Sequence, residues 1–274
     1  LTKEIVLEWT KRKSFEATST QLGRISLMRG LAEYMSRMGK KAYIYPKSLV
    51  TVNRYSYTPY IFSKKEIASI FYACDNFPAS KESPNRQIIL SLVIRMIYGC
   101  GLRISEAVNL TISDVNLNEG TIFIKDTKFG KERLIPMADT LKKRCREYSI
   151  LVLTGKSDTS YFFPSPFGGH YKSNTIYGLF RKVLWAAGIS HTGKGPRLHD
   201  IRHTYAVNCL KKWALANRDM TNCMPYLSAY LGHEDLRGSQ RYLRLTADLY
   251  PDITSKVEKN CSWLIPEVNW HETY

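Results

Sequence analysis

Acidic side chains are scarce in this 274-residue sequence: 24 Asp and Glu stand against 40 Lys and Arg, a formal net charge of +16 at neutral pH. Acids and bases are nonetheless interspersed along the whole chain, which favours a folded cationic surface over a basic tail. Long apolar runs are missing too. No stretch approaches the ~18 apolar residues of a membrane span. Lys3, Glu4, Glu8, Lys11, Arg12, Lys13 and Glu16 crowd the first 20 positions, which excludes a secretory signal. The six cysteines (Cys74, Cys100, Cys145, Cys209, Cys223, Cys261) include no C-x-x-C pair. Neither a zinc knuckle nor a disulfide framework is therefore suggested, and they read as the reduced thiols of a cytoplasmic protein. Low-complexity tracts are absent as well, and 44% hydrophobic with 23% charged residues is the ordinary composition of a chain that folds. The first residue is Leu1 rather than methionine, which reads as truncation.

The cationic excess, with an isoelectric point near 9.5, points to a polyanionic partner. Neutralising phosphates releases counterions, the main source of non-specific affinity for nucleic acid.

Residues 1–42 read as helical. In the clearest part, Leu22, Ile25, Leu27, Met28, Leu31, Tyr34, Met35 and Met38 make an apolar face, and Arg24, Arg29, Arg37, Lys40 and Lys41 occupy much of the remainder. Such a helix can pack on one side and meet DNA phosphate on the other. From Tyr43 to Phe62 the helical period is lost around Pro46 and Pro59. This reads as an extended linker whose Lys47 and Arg54 can reach a DNA groove. Ser63-Lys64-Lys65-Glu66 then supplies a capping box. The expected organisation is a partial helical DNA-binding domain at 1–45, a linker at 46–62 and a larger domain at 63–274.

In that larger domain the periodicity predicts helices at about 64–75, 85–99, 104–110, 139–150, 174–187, 200–213, 224–231 and 239–248. Thr121–Lys125 and Glu132–Pro136 read as two strands around a polar turn at 126–131 that contains Gly130. The expected fold class is mainly α with a small antiparallel β-sheet (α+β).

Five stretches carry chemistry. Gly99-Cys100-Gly101-Leu102-Arg103-Ile104-Ser105-Glu106 comes first, and Lys128-Phe129-Gly130-Lys131-Glu132-Arg133 with Leu134-Ile135-Pro136 second. Leu198-His199-Asp200-Ile201-Arg202-His203-Thr204, Leu231-Gly232-His233 and Tyr242, nine residues further on, complete the series. In content, order and spacing these resemble the arginine, lysine-hairpin, H-x-x-R, second-histidine and nucleophile motifs of the tyrosine recombinase (phage integrase) family across residues 63–250.

The resemblance implies a catalytic domain preceded by a core-binding (SAM-like) domain, here short of the usual helical bundle. It implies that Tyr242 attacks the scissile phosphate, forms a 3′-phosphotyrosyl bond and expels a 5′-hydroxyl. A covalent intermediate of this kind conserves the phosphodiester's energy, so rejoining needs neither ATP nor another cofactor. Arg103 and Arg202 would clamp the phosphate, because arginine's planar fork grips two oxygens and stays charged. A phenol with an ordinary pKa of about 10 needs a base, for which His199 is the candidate, and His233 is a candidate donor to the phosphate. Lys128 is the candidate acid for the leaving oxygen, with Lys131 and Lys125 as competitors. Glu106 matches the family's acidic orienting residue, while the family position of His203 is usually structural. The implied partners are a double-stranded recombination site and three further copies of the chain in a tetrameric synapse.

His199 and His203 at i, i+4 also raise a zinc reading. H-D-I-R-H, however, sets a cation beside the metal and no third-ligand signature follows. Two further alternatives are a type IB topoisomerase-like relaxing enzyme and a catalytically silent DNA-binding regulator on the same fold.

Overall fold

A computed structural model describes residues 1–46, 58–125, 130, 132–193, 195–233, 239 and 242. It divides into two compact units, Leu1–Thr58 and Pro59–Tyr274.

In the first unit, the region read as helical over 1–42 forms two helices, α1 (Lys3–Thr10) and α2 (Thr18–Arg37). The break falls where Phe15 adopts φ 65°, a conformation no right-handed helix contains. Glu16 fixes the turn by accepting from the Lys13 amide at 3.1 Å and pairing with Arg24 at 2.7 Å. The small core gathers Val6, Ile25, Met28 and Tyr45. Much of the apolar face read on the second helix is exposed: Leu27 is 69% and Met38 62% accessible.

The second unit is built around α4 (Arg86–Cys100), in which every residue from Ile89 to Ile97 is buried. A helix apolar on nearly all sides runs through a domain's interior. It packs against α3 (Lys64–Asp75), α6 (Asp139–Tyr148) and α8 (Leu198–Leu215). The one charge on its buried stretch, Arg95, is neutralised by Asp75 at 2.7 Å. The capping box read at Ser63 and Glu66 is present: the Glu66 amide donates to Ser63 Oγ at 3.2 Å and the Ser63 amide to Glu66 Oε2 at 2.7 Å. After the short α5 (Ile104–Asn109) come β1 (Val115–Asn116), β2 (Thr121–Ile124) and β3 (Arg133–Pro136), an antiparallel sheet in that order. The β2–β3 hairpin pairs Ile122 with Ile135 and Ile124 with Arg133. Strand β1, two residues long, is too short for alternation to reveal it. α7 (Ser173–Ala186) and α9 (Met220–Leu231) complete the described elements. The fold is thus mainly α with a small antiparallel sheet, as expected.

α9 starts four residues earlier than its expected span of 224–231. Pro225 reads as a first-turn residue, but Asp219 caps the helix by accepting from the Thr221 amide at 2.8 Å. Of the helix expected at 239–248 only Ser239 and Tyr242 are described, both helical. Among the described residues no helix is long and apolar enough to cross a membrane.

Candidate active site

Two helix ends frame the site. α4 stops at Gly101 and α9 at Gly232, each with positive φ, 60° and 64°, the left-handed cap that glycine adopts without strain. The chain leaving Gly101 places Arg103 at the N-cap of α5. Glu106, three residues on, reaches back to accept from the Arg103 amide at 2.8 Å. The chain leaving Gly232 presents His233.

α8 supplies the third wall. Its first turn is fixed from both ends: Asp200, fully buried, accepts from the Arg197 amide at 2.8 Å, and Thr204 accepts from the Phe62 amide at 3.0 Å. Asp200 in the H-x-x-R motif is therefore a helix cap. The spacing of 199, 202 and 203 sets His199, Arg202 and His203 on one helix face.

Glu106 lies at the centre. Arg103 Nη1 donates to its Oε1 at 2.6 Å, Arg133 Nη1 and Nη2 donate to Oε1 and Oε2 at 3.2 and 2.8 Å, and Arg202 Nη1 stands 3.8 Å from Oε2. Three guanidiniums thus share one carboxylate. Burial alone would raise the Glu106 carboxyl, but the hydrogen bonds from Arg133 and the Arg103 amide, with the charges of Arg133 and Arg202, hold it below the usual carboxylate range.

The same arginines satisfy the exposed carbonyls at the end of α9, which no intrahelical amide can reach. Arg133 Nε donates to the Tyr230 carbonyl at 2.8 Å, Arg202 Nη2 to that of Leu231 at 2.6 Å and Arg103 Nη2 to that of Gly232 at 2.7 Å. Cations there also meet the negative end of the helix dipole. Arg202 Nη1 donates to the Gly101 carbonyl at 2.7 Å. Its Nε is buried and has no partner among the described residues. Burial, then repulsion from Arg103, lowers the Arg202 guanidinium to about 10, still charged at neutral pH.

Tyr242 is 3% exposed and packs with Val207, Leu210, Leu227 and Leu231. Its hydroxyl lies 3.0 Å from His203 Nδ1. His199 meets the His203 ring edge-on with centroids 4.6 Å apart, and His233 stacks on Tyr242 at 6.0 Å. Burial first, then the charges of Arg202 and Arg103, push the His233 imidazole down to about 4, so it is neutral at physiological pH. His233 Nδ1 lies 2.8 Å from Ser239 Oγ. A cavity of about 500 Å³ opens beside Arg103, lined also by Ser105, Glu106, Asn109, Lys125 and Tyr161.

The structure thus brings Arg103, Glu106, His199, Arg202, His233 and Tyr242 together, and adds two residues not read as site residues. One is Arg133, whose signal was period-two alternation: it faces the same side of β3 as the buried Ile135, opposite the exposed Leu134, and an arginine on a strand's inner face needs a partner. The other is His203, expected to be structural. Lys128 and Lys131 lie outside the described residues. Lys125 pairs with Asp114 at 2.9 Å.

Among the basic residues read as DNA contacts, Arg24 is engaged within its own unit. Its guanidinium donates to Glu16 and to the Trp9 and Lys11 carbonyls, with Nη2 2.9 Å from the latter, so it closes its own unit. Arg29 pairs with Glu33 at 3.3 Å. Arg37, Lys40 and Lys41 are exposed, and Lys47 and Arg54 lie outside the described residues.

A helical domain in which a buried tyrosine stands beside a cluster of arginines and histidines is the architecture of a strand-transferring enzyme that acts on phosphodiesters. Residues 61–248 match the phage integrase family, and the chain belongs to it: it is a tyrosine recombinase, an enzyme of DNA cleavage and rejoining. A relative from Sinorhizobium fredii described as an integrase/recombinase, y4rB, is 30% identical over 273 residues, covering 94% of this chain and 84% of its own. Tyrosine recombinase XerC of Oceanobacillus iheyensis is 30% identical over 162 residues, 57% of this chain and 49% of that one. Two solved structures share the fold. XerH site-specific recombinase bound to a palindromic difH substrate has a TM-score of 0.69 at 22% identity, over 92% of this chain and 70% of that one. The Tn1549 transposon integrase, in complex with circular intermediate DNA, has a TM-score of 0.63 at 19% identity, over 87% and 80%.

Proposed function

We propose that this chain is a site-specific recombinase whose Tyr242 attacks a scissile phosphate, forms a 3′-phosphotyrosyl bond and releases a 5′-hydroxyl. The observation that carries the reading is the charge balance around Glu106. Three guanidiniums converge on one carboxylate, and the buried Arg202 Nε has no partner among the described residues. The excess cation and the unfilled donor suit a phosphate, which two arginines hold in a fork while its charge grows in the transition state. Arg103 and Arg202 form that clamp, with Glu106 and Arg133 orienting them. His199 and neutral His233 serve the phosphate and the protons around it, and Lys128 protonates the leaving oxygen.

Arg37, Lys40, Lys41, Lys47 and Arg54 are the proposed contacts of the 1–45 domain and its linker to the DNA backbone. The solved relatives on DNA recombination sites support such a partner. Four copies in a synapse, with two tyrosines active at a time, would exchange strands between two sites. A mobile-element integrase acting in the bacterial cytoplasm is the preferred setting.

The test is incubation with a nicked suicide duplex carrying the cognate site, without added metal, followed by denaturing electrophoresis. A protein–DNA band formed by the wild type and lost in Tyr242→Phe is the expected result. Non-covalent binding by both proteins with no such band would return the chain to a silent DNA-binding role.

A further inference from the structure

The Tyr242 hydroxyl has a hydrogen-bond partner that the family resemblance does not assign to it. His203 Nδ1 lies 3.0 Å from Oη, and the two rings are tilted with centroids 5.4 Å apart. With its proton on Nε2, this imidazole accepts from the phenol through Nδ1. The contact is defined from both sides. His203 is one turn past His199 on α8, whose start is set by the Asp200 cap and the Thr204 bond to Phe62. Tyr242 is 3% exposed and enclosed by Val207, Leu210 and Leu231, so bulk water is a poor sink for its proton. A phenol attacking phosphorus must lose that proton as the new bond forms, and a base already in hydrogen-bond contact can take it without rearrangement.

We propose that His203 is a further catalytic residue: its Nδ1 takes the Tyr242 proton during strand cleavage and returns it to the phenolate oxygen when the strand is rejoined. This rests on the recombinase reading above. In cleavage, the Oη–H and P–O5′ bonds break and the Oη–P bond forms. The phenolic proton goes to His203, and the 5′-oxygen leaves with a proton from the hairpin lysine. Rejoining reverses each transfer, so no proton or electron is left over. His199 lies edge-on to the His203 ring, with centroids 4.6 Å apart, and packs against it. In this scheme His199 serves the phosphate rather than the phenol.

The experiment separates proton removal from Tyr242 from every other duty of the site. Phosphotyrosyl formation on the nicked suicide duplex is compared among wild type, His203→Ala and His203→Gln, glutamine being able to hydrogen-bond but not to take a proton. In parallel, the same replacements are made in a Tyr242→Phe background, and rejoining is measured with a strand whose 3′-phosphate carries p-nitrophenol. That leaving group departs as a stable anion without a proton, and the reaction uses the arginine clamp and the hairpin acid–base but not the tyrosine.

Covalent cleavage should fall about 100-fold with either replacement, and at least ten-fold further than nitrophenyl rejoining does. Equal losses in the two reactions would make His203 structural and overturn the proposal. Recovery by glutamine alone would reduce His203 to a hydrogen-bonding support and also overturn it, as would cleavage that is unchanged or faster in His203→Ala. Absence of any adduct with the wild type would instead sink the recombinase reading on which the proposal stands.

Discussion

Arg133 Nε donates to the Tyr230 carbonyl at 2.8 Å, which ties the first residue of β3 to the last turn of α9. Its other two nitrogens hold Glu106 at 2.8 and 3.2 Å. One side chain therefore links the end of the lysine hairpin, the carboxylate that gathers the arginines and the helix that delivers His233.

Replacement of Arg133 by methionine should destabilise the domain by about 3 kcal/mol, because it removes two hydrogen bonds to the buried Glu106 carboxylate, which keeps Arg103, and leaves the Tyr230 carbonyl without its donor. Arg133→Lys keeps the charge but cannot span both partners and should recover less than half of that loss. Urea denaturation measures the stability. Covalent adduct formation should fall in both variants while gel-shift affinity for DNA is retained. Unaltered adduct yield in Arg133→Met would show that Glu106 orients the clamp without it.

Much of this site was legible because helices advertise themselves. The cap at Ser63, the glycine at the end of α4 and the 199, 202, 203 spacing are local patterns, and each maps onto the structure. Arg133 was not, since a basic residue beside a polar turn looks solvated until the strand's inner face is known. His203 was not either: an i, i+4 pair of histidines says that two rings share a face, but only the packing of Tyr242 decides which ring meets the phenol. The break between α1 and α2 was hidden because it hangs on Phe15 at φ 65°, a backbone state that phenylalanine does not announce.

Gly232→Ala should impair both fold and reaction. At φ 64° a side chain is strained by about 1–2 kcal/mol. The new Cβ would also lie 2.8 Å from Arg133 Nη1, part of a guanidinium that Glu106 holds through Nη1 and Nη2 and the Tyr230 carbonyl through Nε. The guanidinium must yield, and the α9 end with His233 shifts with it. Thermal melting should drop by several degrees, and adduct formation should decline further than the melting change explains when assayed well below the transition. A variant of wild-type activity would show that the arginine moves at no cost.

Acidification should weaken the fold through the same site. His233 is lowered from the ordinary value of 6.5 to about 4, so between those values the unfolded chain binds a proton that the folded chain refuses. Stability therefore rises with pH across that window and is lost as pH falls through it. Glu106, held below its ordinary 4.5, adds a second loss in the same direction at still lower pH. Melting temperatures measured from about pH 7 to about pH 5 should fall more steeply in the wild type than in His233→Gln, which has no such proton to gain. Parallel curves would mean that His233 titrates alike in both states.

Basic residues of the first unit should divide into two kinds. Arg24 is spent on Glu16 and on the Trp9 and Lys11 carbonyls, so Arg24→Ala should loosen α1 from α2. Limited proteolysis would read this as faster cleavage before α2 in the absence of DNA. Arg37, Lys40 and Lys41 are exposed, and a triple alanine replacement should leave that proteolysis pattern alone while weakening DNA binding. If each contacts one phosphate, the slope of log affinity against log salt should shrink by about 0.9 per residue, or roughly 2.7 for all three. A slope that does not change would remove these residues from the DNA interface, and a triple variant that is also cleaved faster would show that they, like Arg24, serve the fold.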